Sequence, residues 1–378
     1  MSSRRRLWGR AFVGGRIDDD TLITIDGRII ADVRRAVSPP LDAERVEGVL
    51  VPGFIDVHVH GGYGADFMDA REDANERIVE FHARHGTTAL AATTLSASPQ
   101  QLHAAVATIA DVSRAMPPGA QICGIHLEGP YINRLKAGAQ NIDAIRLAHT
   151  DEIAALLAEA PRLRWMITVA PEIEGVSALM RHFRERILFS IGHTAATYAD
   201  AAVALEQGAK HFTHLFNAMT PLQHREPGVV GAALSSTEAT AELIADGIHV
   251  HPTILRIAAL AMPGRIALIT DAMRACGLAD GEYKLLEHDV VVSEGAARLA
   301  DGTLAGSVLT MDRAVANMVE LAGLPIEIVL PLATAVPARI LGVEDRKGSI
   351  RPGLDADLVL LSEKLEVTRV FTRGDELA

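Results

Sequence analysis

The chain has 378 residues, 49% of them hydrophobic and 22% charged, a globular balance that excludes a disordered or fibrous protein. Its length exceeds what one hydrophobic core usually organises, so a large domain with a smaller companion is expected. The 36 basic and 48 acidic residues leave a net charge of −12, which argues against nucleic acid or an anionic membrane surface as the main partner.

Two cysteines, Cys123 and Cys276, make no disulfide framework and suit a reducing compartment. Arg4, Arg5 and Arg6 look like the start of a signal peptide, but Gly9, Arg10, Gly14 and Arg16 interrupt any apolar stretch behind them. No apolar run reaches membrane-spanning length, and a cytoplasmic protein is the expectation.

In chain order, residues 1–50 read as short strands at 7–13, 21–25 and 28–33, with Asp26 and Gly27 as a hairpin signal. From residue 51 the pattern becomes strand, loop, helix, repeated. Strands are predicted at 54–59, 87–93, 122–127, 165–169, 187–191, 211–214, 241–245 and 266–270. Helices are predicted at 74–85, 99–116, 144–160, 198–207 and 252–262, several opened by helix-start residues such as Ser98, Asp143 and Thr197. A last helix at 309–322 is followed by residues 334–341, a turn and strand within 348–361 and a strand at 367–373. Eight strands alternating with helices predict an α/β fold of the (β/α)₈, TIM-barrel type, over residues 51–334. A doubly wound sheet is the alternative, but it would not gather residues from the ends of so many strands round one centre. The β-rich ends, 1–50 and 335–378, are expected to pair as a small β-sandwich.

The chemistry lies at the C-terminal ends of the predicted strands, the functional face of such a barrel. His58 and His60 stand two apart at the end of the first strand, so both imidazoles face one way and can meet one divalent metal of the zinc type. Glu128 ends the third strand, His193 the fifth and His214 the sixth. Each alone reads as readily as a solvated side chain. Together they point to a metal site. Asp271 ends the eighth strand, where a carboxylate can shuttle a proton beside a metal or hold a ligand histidine in place.

The strings HVH, LEGP, GHT, THLFNAM, DGIHV and TDAM resemble the N-acetylglucosamine-6-phosphate deacetylases of the amidohydrolase superfamily, over roughly residues 51–322. The resemblance implies a metal-dependent hydrolase of an acetamido sugar phosphate, working in amino-sugar catabolism or cell-wall recycling. Glu128, His193 and His214 would be the main metal ligands, with His58 and His60 supporting a second ion. Asp271 would be the acid/base. Ala139, Gln140, Asn217, Ala218, His249 and the Leu304, Ala305, Gly306 loop would contact substrate, and Arg225 the phosphate. Gln140 stands where some relatives have histidine. No lysine lies in the fourth strand to bridge two metals, and Lys210 precedes the sixth strand, so Glu128 would bridge. The resemblance further implies one or two divalent ions, zinc first with Fe²⁺, Mn²⁺ or Co²⁺ as alternatives. It also implies a homodimer in which Arg225 can serve the partner's site. The galactosamine epimer, another amidase of the superfamily and a catalytically silent scaffold are the rival readings.

Overall fold

The computed structural model describes residues 4–377. The N-terminal segment forms β1 (Arg4–Val13), β2 (Arg16–Asp26), β3 (Ile29–Arg35) and β4 (Glu44–Pro52). Eight strands follow: β5 (Phe54–Val59), β6 (Thr87–Thr94), β7 (Gln121–Glu128), β8 (Arg164–Val169), β9 (Ile187–Ile191), β10 (Ala209–Phe212), β11 (Thr240–Ile244) and β12 (Ile266–Ile269). They lie side by side in chain order, every pairing parallel. Strands covered on both faces lose the polar–apolar alternation, and β5 is accordingly buried at all six positions, FIDVHV.

The seam between β5 and β12 is closed by other means. The Asp271 N–H donates to the His58 carbonyl at 2.9 Å, and the His60 N–H donates to the Ala272 carbonyl at 3.0 Å. Beneath them the buried Asp56 carboxylate accepts from the Thr270 hydroxyl at 2.5 Å and the Thr270 N–H at 3.3 Å. The closure brings the end of the eighth strand against the His-x-His pair.

Ser98 and Thr197 cap the helices Pro99–Ala115 and Tyr198–Glu206 through reciprocal bonds with Gln101 and Asp200, as their spacing predicts. The helix expected from residue 144 begins instead at Thr150. The chain ahead of it crosses the top of the barrel with short 3₁₀ turns at Arg134–Lys136 and Ile142–Ala144, and so delivers Ala139 and Gln140 to the site. Strand β10 ends at Phe212, two residues short of His214. Lys210 lies inside β10, towards its N-terminal end and away from the site. Further helices form at Val176–Phe183, Gly228–Ser235 and Ile326–Ala333.

Unforeseen is a four-stranded antiparallel sheet between β12 and the helix Met311–Glu320. It comprises β13 (Gly281–Leu285), β14 (His288–Ser293), β15 (Ala296–Arg298) and β16 (Leu304–Ser307). Its own small core includes Leu285, Val290, Val292, Ala297 and Ala305, packed with Leu95 and Met273 of the barrel top.

The C-terminal β17 (Leu358–Leu361), β18 (Val367–Thr372) and β19 (Asp375–Glu376) join the N-terminal strands in one seven-stranded sheet, order β19-β18-β17-β4-β1-β2-β3. Leu7, Ile23, Ile30, Leu50, Leu358 and Phe371 share one core, and the Ile30 N–H reaches the Leu354 carbonyl at 2.8 Å. The sheet therefore folds over its own apolar face, the form that the expected union of the two chain ends takes. No helix among the described residues is long and apolar enough to cross a membrane.

Candidate metal centre and active site

Four imidazoles and two carboxylates meet at the C-terminal mouth of the barrel, all six side chains buried. The Nε2 atoms of His58 and His60 are 3.2 Å apart, and those of His193 and His214 are 3.0 Å apart. Glu128 lies between the two pairs. Its Oε1 is 3.1 Å from His193 Nε2 and 3.0 Å from His214 Nε2, while its Oε2 is 3.3 Å from His60 Nε2. Asp271 Oδ1 stands 3.2 Å from His60 Nε2 and 3.6 Å from His58 Nε2.

Such a set fits a divalent metal on its own chemistry. Imidazole nitrogens and carboxylate oxygens are zinc-type donors. They form two groups close enough to hold an ion, Glu128–His193–His214 and His58–His60–Asp271. Without a cation the cluster is electrostatically awkward. Burial by itself pushes the imidazoles down, yet the facing carboxylates raise His58 well above its usual value, His60 to about 9, and His193 as well. Burial would lift Glu128 and Asp271, but the imidazole charges, His58 first, hold both below the usual carboxylate range.

Backbone conformation aims these side chains. His193, His214, Ala218 and Asp271 all have positive φ, at 47°, 28°, 50° and 49°. Each such non-glycine residue costs on the order of 1–3 kcal/mol, and such strain clusters at functional sites. Local bonds hold it. His193 Nδ1 meets the Lys136 carbonyl at 2.7 Å, the Thr194 N–H donates to the Ala218 carbonyl at 3.0 Å, and the Ser307 N–H donates to the Asp271 carbonyl at 2.8 Å. Gly306, at φ 64°, has room for no more: a Cβ there would stand 3.0 Å from the Asp271 carbonyl oxygen.

A cavity of about 560 Å³ opens above the centre. Ala139, Gln140, Asn217, Ala218, His249, Leu304 and Gly306 line it together with His60, Glu128, His193, His214 and Asp271. His58 lies beneath, fully buried, and Ala305 alternates inward, away from the cavity, into the small sheet's core. The Gln140 amide donates to Glu128 Oε2, and its side-chain oxygen accepts the Ser96 N–H at 2.6 Å. Gln140 is thereby tied to the carboxylate between the two pairs. Arg225 is exposed and does not line the cavity. The cations that do are Lys136 and Arg298.

Sequence reasoning missed several residues that organise the site. Asp246 receives the Ile248 and His249 N–H groups at 2.8 Å each and His249 Nδ1 at 2.6 Å, which fixes the imidazole over the cavity. Burial would raise the Asp246 carboxyl, and the bonds from His249 hold it low. DGIHV contained that signal, since an aspartate three residues before a histidine can cap the same turn. Glu242, on β11, bonds His58, His211 and the His214 backbone. Lys136 and Arg298 became visible only once the loop over β7 and the four-stranded sheet were in place.

The model of the amidohydrolase family matches residues 49–377. The chain is 41% identical to the N-acetylglucosamine-6-phosphate deacetylase of Bacillus subtilis, over 87% of this chain and 84% of that one. It is 40% identical to the N-acetylgalactosamine-6-phosphate deacetylase of Escherichia coli, over 95% of both. It superposes on the N-acetyl-D-glucosamine-6-phosphate deacetylase of Mycobacterium smegmatis solved with N-acetyl-D-glucosamine-6-phosphate, with TM-score 0.93, 36% identity and 99% of each chain covered.

Proposed function

The chain belongs to the amidohydrolase family, and from that premise we propose that it hydrolyses N-acetyl-D-glucosamine 6-phosphate to D-glucosamine 6-phosphate and acetate. The observation that carries this is the position of Asp271. Its carboxylate stands 3.2 Å from His60 Nε2 and 3.6 Å from His58 Nε2 and borders the cavity of about 560 Å³.

His58, His60, Glu128, His193 and His214 would hold one or two divalent ions, zinc first by donor type. A bound ion of that kind supplies Lewis acidity, making water a nucleophile near neutral pH and drawing charge from an amide oxygen. Asp271 accepts the proton that water gives up and delivers it to the departing sugar nitrogen, so that acetate and a free amine result. His249, fixed by Asp246, faces the cavity as a donor for the acetyl oxygen or the sugar. Asn217 and the Ala218 backbone offer uncharged contacts to the sugar. Gly306 leaves a bare backbone at the cavity wall.

The phosphate needs cations. Arg225 carries the planar fork suited to it but stands outside this chain's cavity. We therefore assign it to the site of a second copy, in a homodimer, while Lys136 and Arg298 border the cavity within the same chain. Two free, buried cysteines suit a reducing, cytoplasmic setting.

The experiment is acetate release by the purified, metal-loaded protein from N-acetylglucosamine 6-phosphate, its galactosamine epimer and the two unphosphorylated sugars. Faster release from the glucosamine phosphate supports the proposal. Faster release from the epimer transfers it to the galactosamine reading, which the 40% identical Escherichia coli relative favours. Release from neither phosphate overturns it.

A further inference from the structure

His58 belongs to two clusters of metal-ligating side chains at once. Its Nε2 faces His60, Glu128 and Asp271, and its Nδ1 faces Glu242 with His126 close by. An imidazole can present a lone pair from one nitrogen only while the other carries the proton. What lies on the Nδ1 side therefore decides whether His58 serves the centre at the barrel mouth.

Glu242 lies on that side, on β11, fully buried. Its Oε2 is 2.9 Å from His58 Nδ1 and also accepts the backbone N–H of His214 at 3.0 Å. Its Oε1 is 3.1 Å from His211 Nε2, and His211 Nδ1 reaches the Thr240 hydroxyl at 2.6 Å. His126, the third member of the inner cluster, is occupied elsewhere, with Nε2 2.7 Å from the Thr168 hydroxyl. The inner cluster is a hydrogen-bonded support, with its ring nitrogens already engaged. One carboxylate oxygen thus touches a residue from each half of the mouth: the His58 ring from one half, and the backbone that sets His214 at its unusual φ of 28° from the other.

We propose that Glu242 is the positioning residue of the second metal position: by accepting the Nδ1 proton of His58 it fixes the tautomer that turns Nε2 towards His60 and Asp271. This rests on the metal-centre reading above. Carboxylates behind ligand histidines generally contribute about 10- to 100-fold to metal affinity. Glu242 touches only the backbone of His214 and neither Glu128 nor His193, so its effect falls on the second ion.

The test titrates metal-free protein with Co²⁺, following the ligand-field absorption, for the wild type, Glu242→Gln and His58→Ala. Glutamine keeps the shape and can still accept from His58 and the His214 N–H, but only as a neutral group, so the charge assistance that holds the Nδ1 proton firmly and makes Nε2 a more basic donor is lost. The expected result is two Co²⁺ equivalents in the wild type. In Glu242→Gln the first equivalent is unchanged and the second binds roughly 10- to 100-fold more weakly, with an unchanged melting temperature of the metal-free protein. His58→Ala should lose the second equivalent outright. If Glu242→Gln does not fold, Glu242→Asp carries the test, since it keeps the charge but draws the carboxylate back from His58. Equal weakening of both equivalents, or wild-type affinity for the second in the folded variant, overturns the proposal. A wild type that never binds a second equivalent overturns instead the two-ion reading on which it rests.

Discussion

Asp271 and His58 are joined twice, by the Asp271 N–H to the His58 carbonyl at 2.9 Å and by Asp271 Oδ1 lying 3.6 Å from His58 Nε2. The bond that helps close the barrel between its first and eighth strands also sets the Asp271 carboxylate against the His58 imidazole. Distortion of the seam and distortion of the side-chain cluster at the barrel mouth are therefore one event.

Asp271→Asn preserves shape and the backbone bond but cannot accept a proton. We predict that kcat falls by about 10²- to 10⁴-fold, the scale of general acid–base catalysis, while metal content and substrate affinity persist. All three should be measured on one preparation. Loss of metal in step with activity would make Asp271 a ligand or its support.

Arg225→Ala should raise KM for the 6-phosphate by roughly 10- to 100-fold, the loss of one charge-assisted contact, and leave the unphosphorylated sugar little affected. Because Arg225 lies outside its own chain's cavity, mixing Arg225→Ala chains with Asp271→Asn chains should restore activity in hybrid dimers. No restoration, with equal effects on both sugars, would give Arg225 a purely structural place.

The barrel was legible because its strands are short apolar runs separated by capped helices, and the six side chains that meet at its mouth because each lies at or just past the end of such a run. Other features escaped. The sheet from Gly281 to Ser307 has alternating, half-exposed strands that carry no mark of where they pack. Glu242 reads in sequence as one acidic residue in AELIAD, and its contact with His58 exists only because barrel closure brings β11 within one strand, β12, of β5. After the loop carrying Ala139 and Gln140 the sequence predicts a helix from residue 144, because Asp143 looks like a cap. In the fold it belongs to a 3₁₀ turn capped by Asn141.

Lys347 tests the joint between barrel and small sheet. It is 2% exposed, with Nζ 2.9 Å from Asp355 and 2.5 Å from Asp357, and Asp357 also accepts the Arg373 N–H at 2.7 Å. Lys347→Met leaves those carboxylates without their cation, and removing one partner of a buried pair costs about 3–5 kcal/mol. Chemical denaturation should show the loss, with kcat of the folded fraction unchanged. A stability change within error would mean that water reaches the pair.

His82 gives a pH dependence. It is fully buried, its Nε2 bonded to the Gly61 carbonyl at 2.9 Å, and burial depresses its pKa from 6.5 to about 4. The unfolded chain binds a proton below about pH 6.5 that the folded chain refuses until about pH 4, so stability falls as pH drops through that window. The difference corresponds to about 3 kcal/mol. Metal-free His82→Gln should lose less stability between pH 7 and pH 5 than metal-free wild type. Parallel pH curves for the two would contradict this.

The most direct measurement is acetate release from N-acetylglucosamine 6-phosphate by one preparation before chelation, after complete chelation, and after stepwise return of Zn²⁺. The account predicts that release stops when the metal is stripped and returns as the metal is restored, with Asp271→Asn remaining slow throughout. Undiminished acetate release from the fully metal-free protein would contradict it.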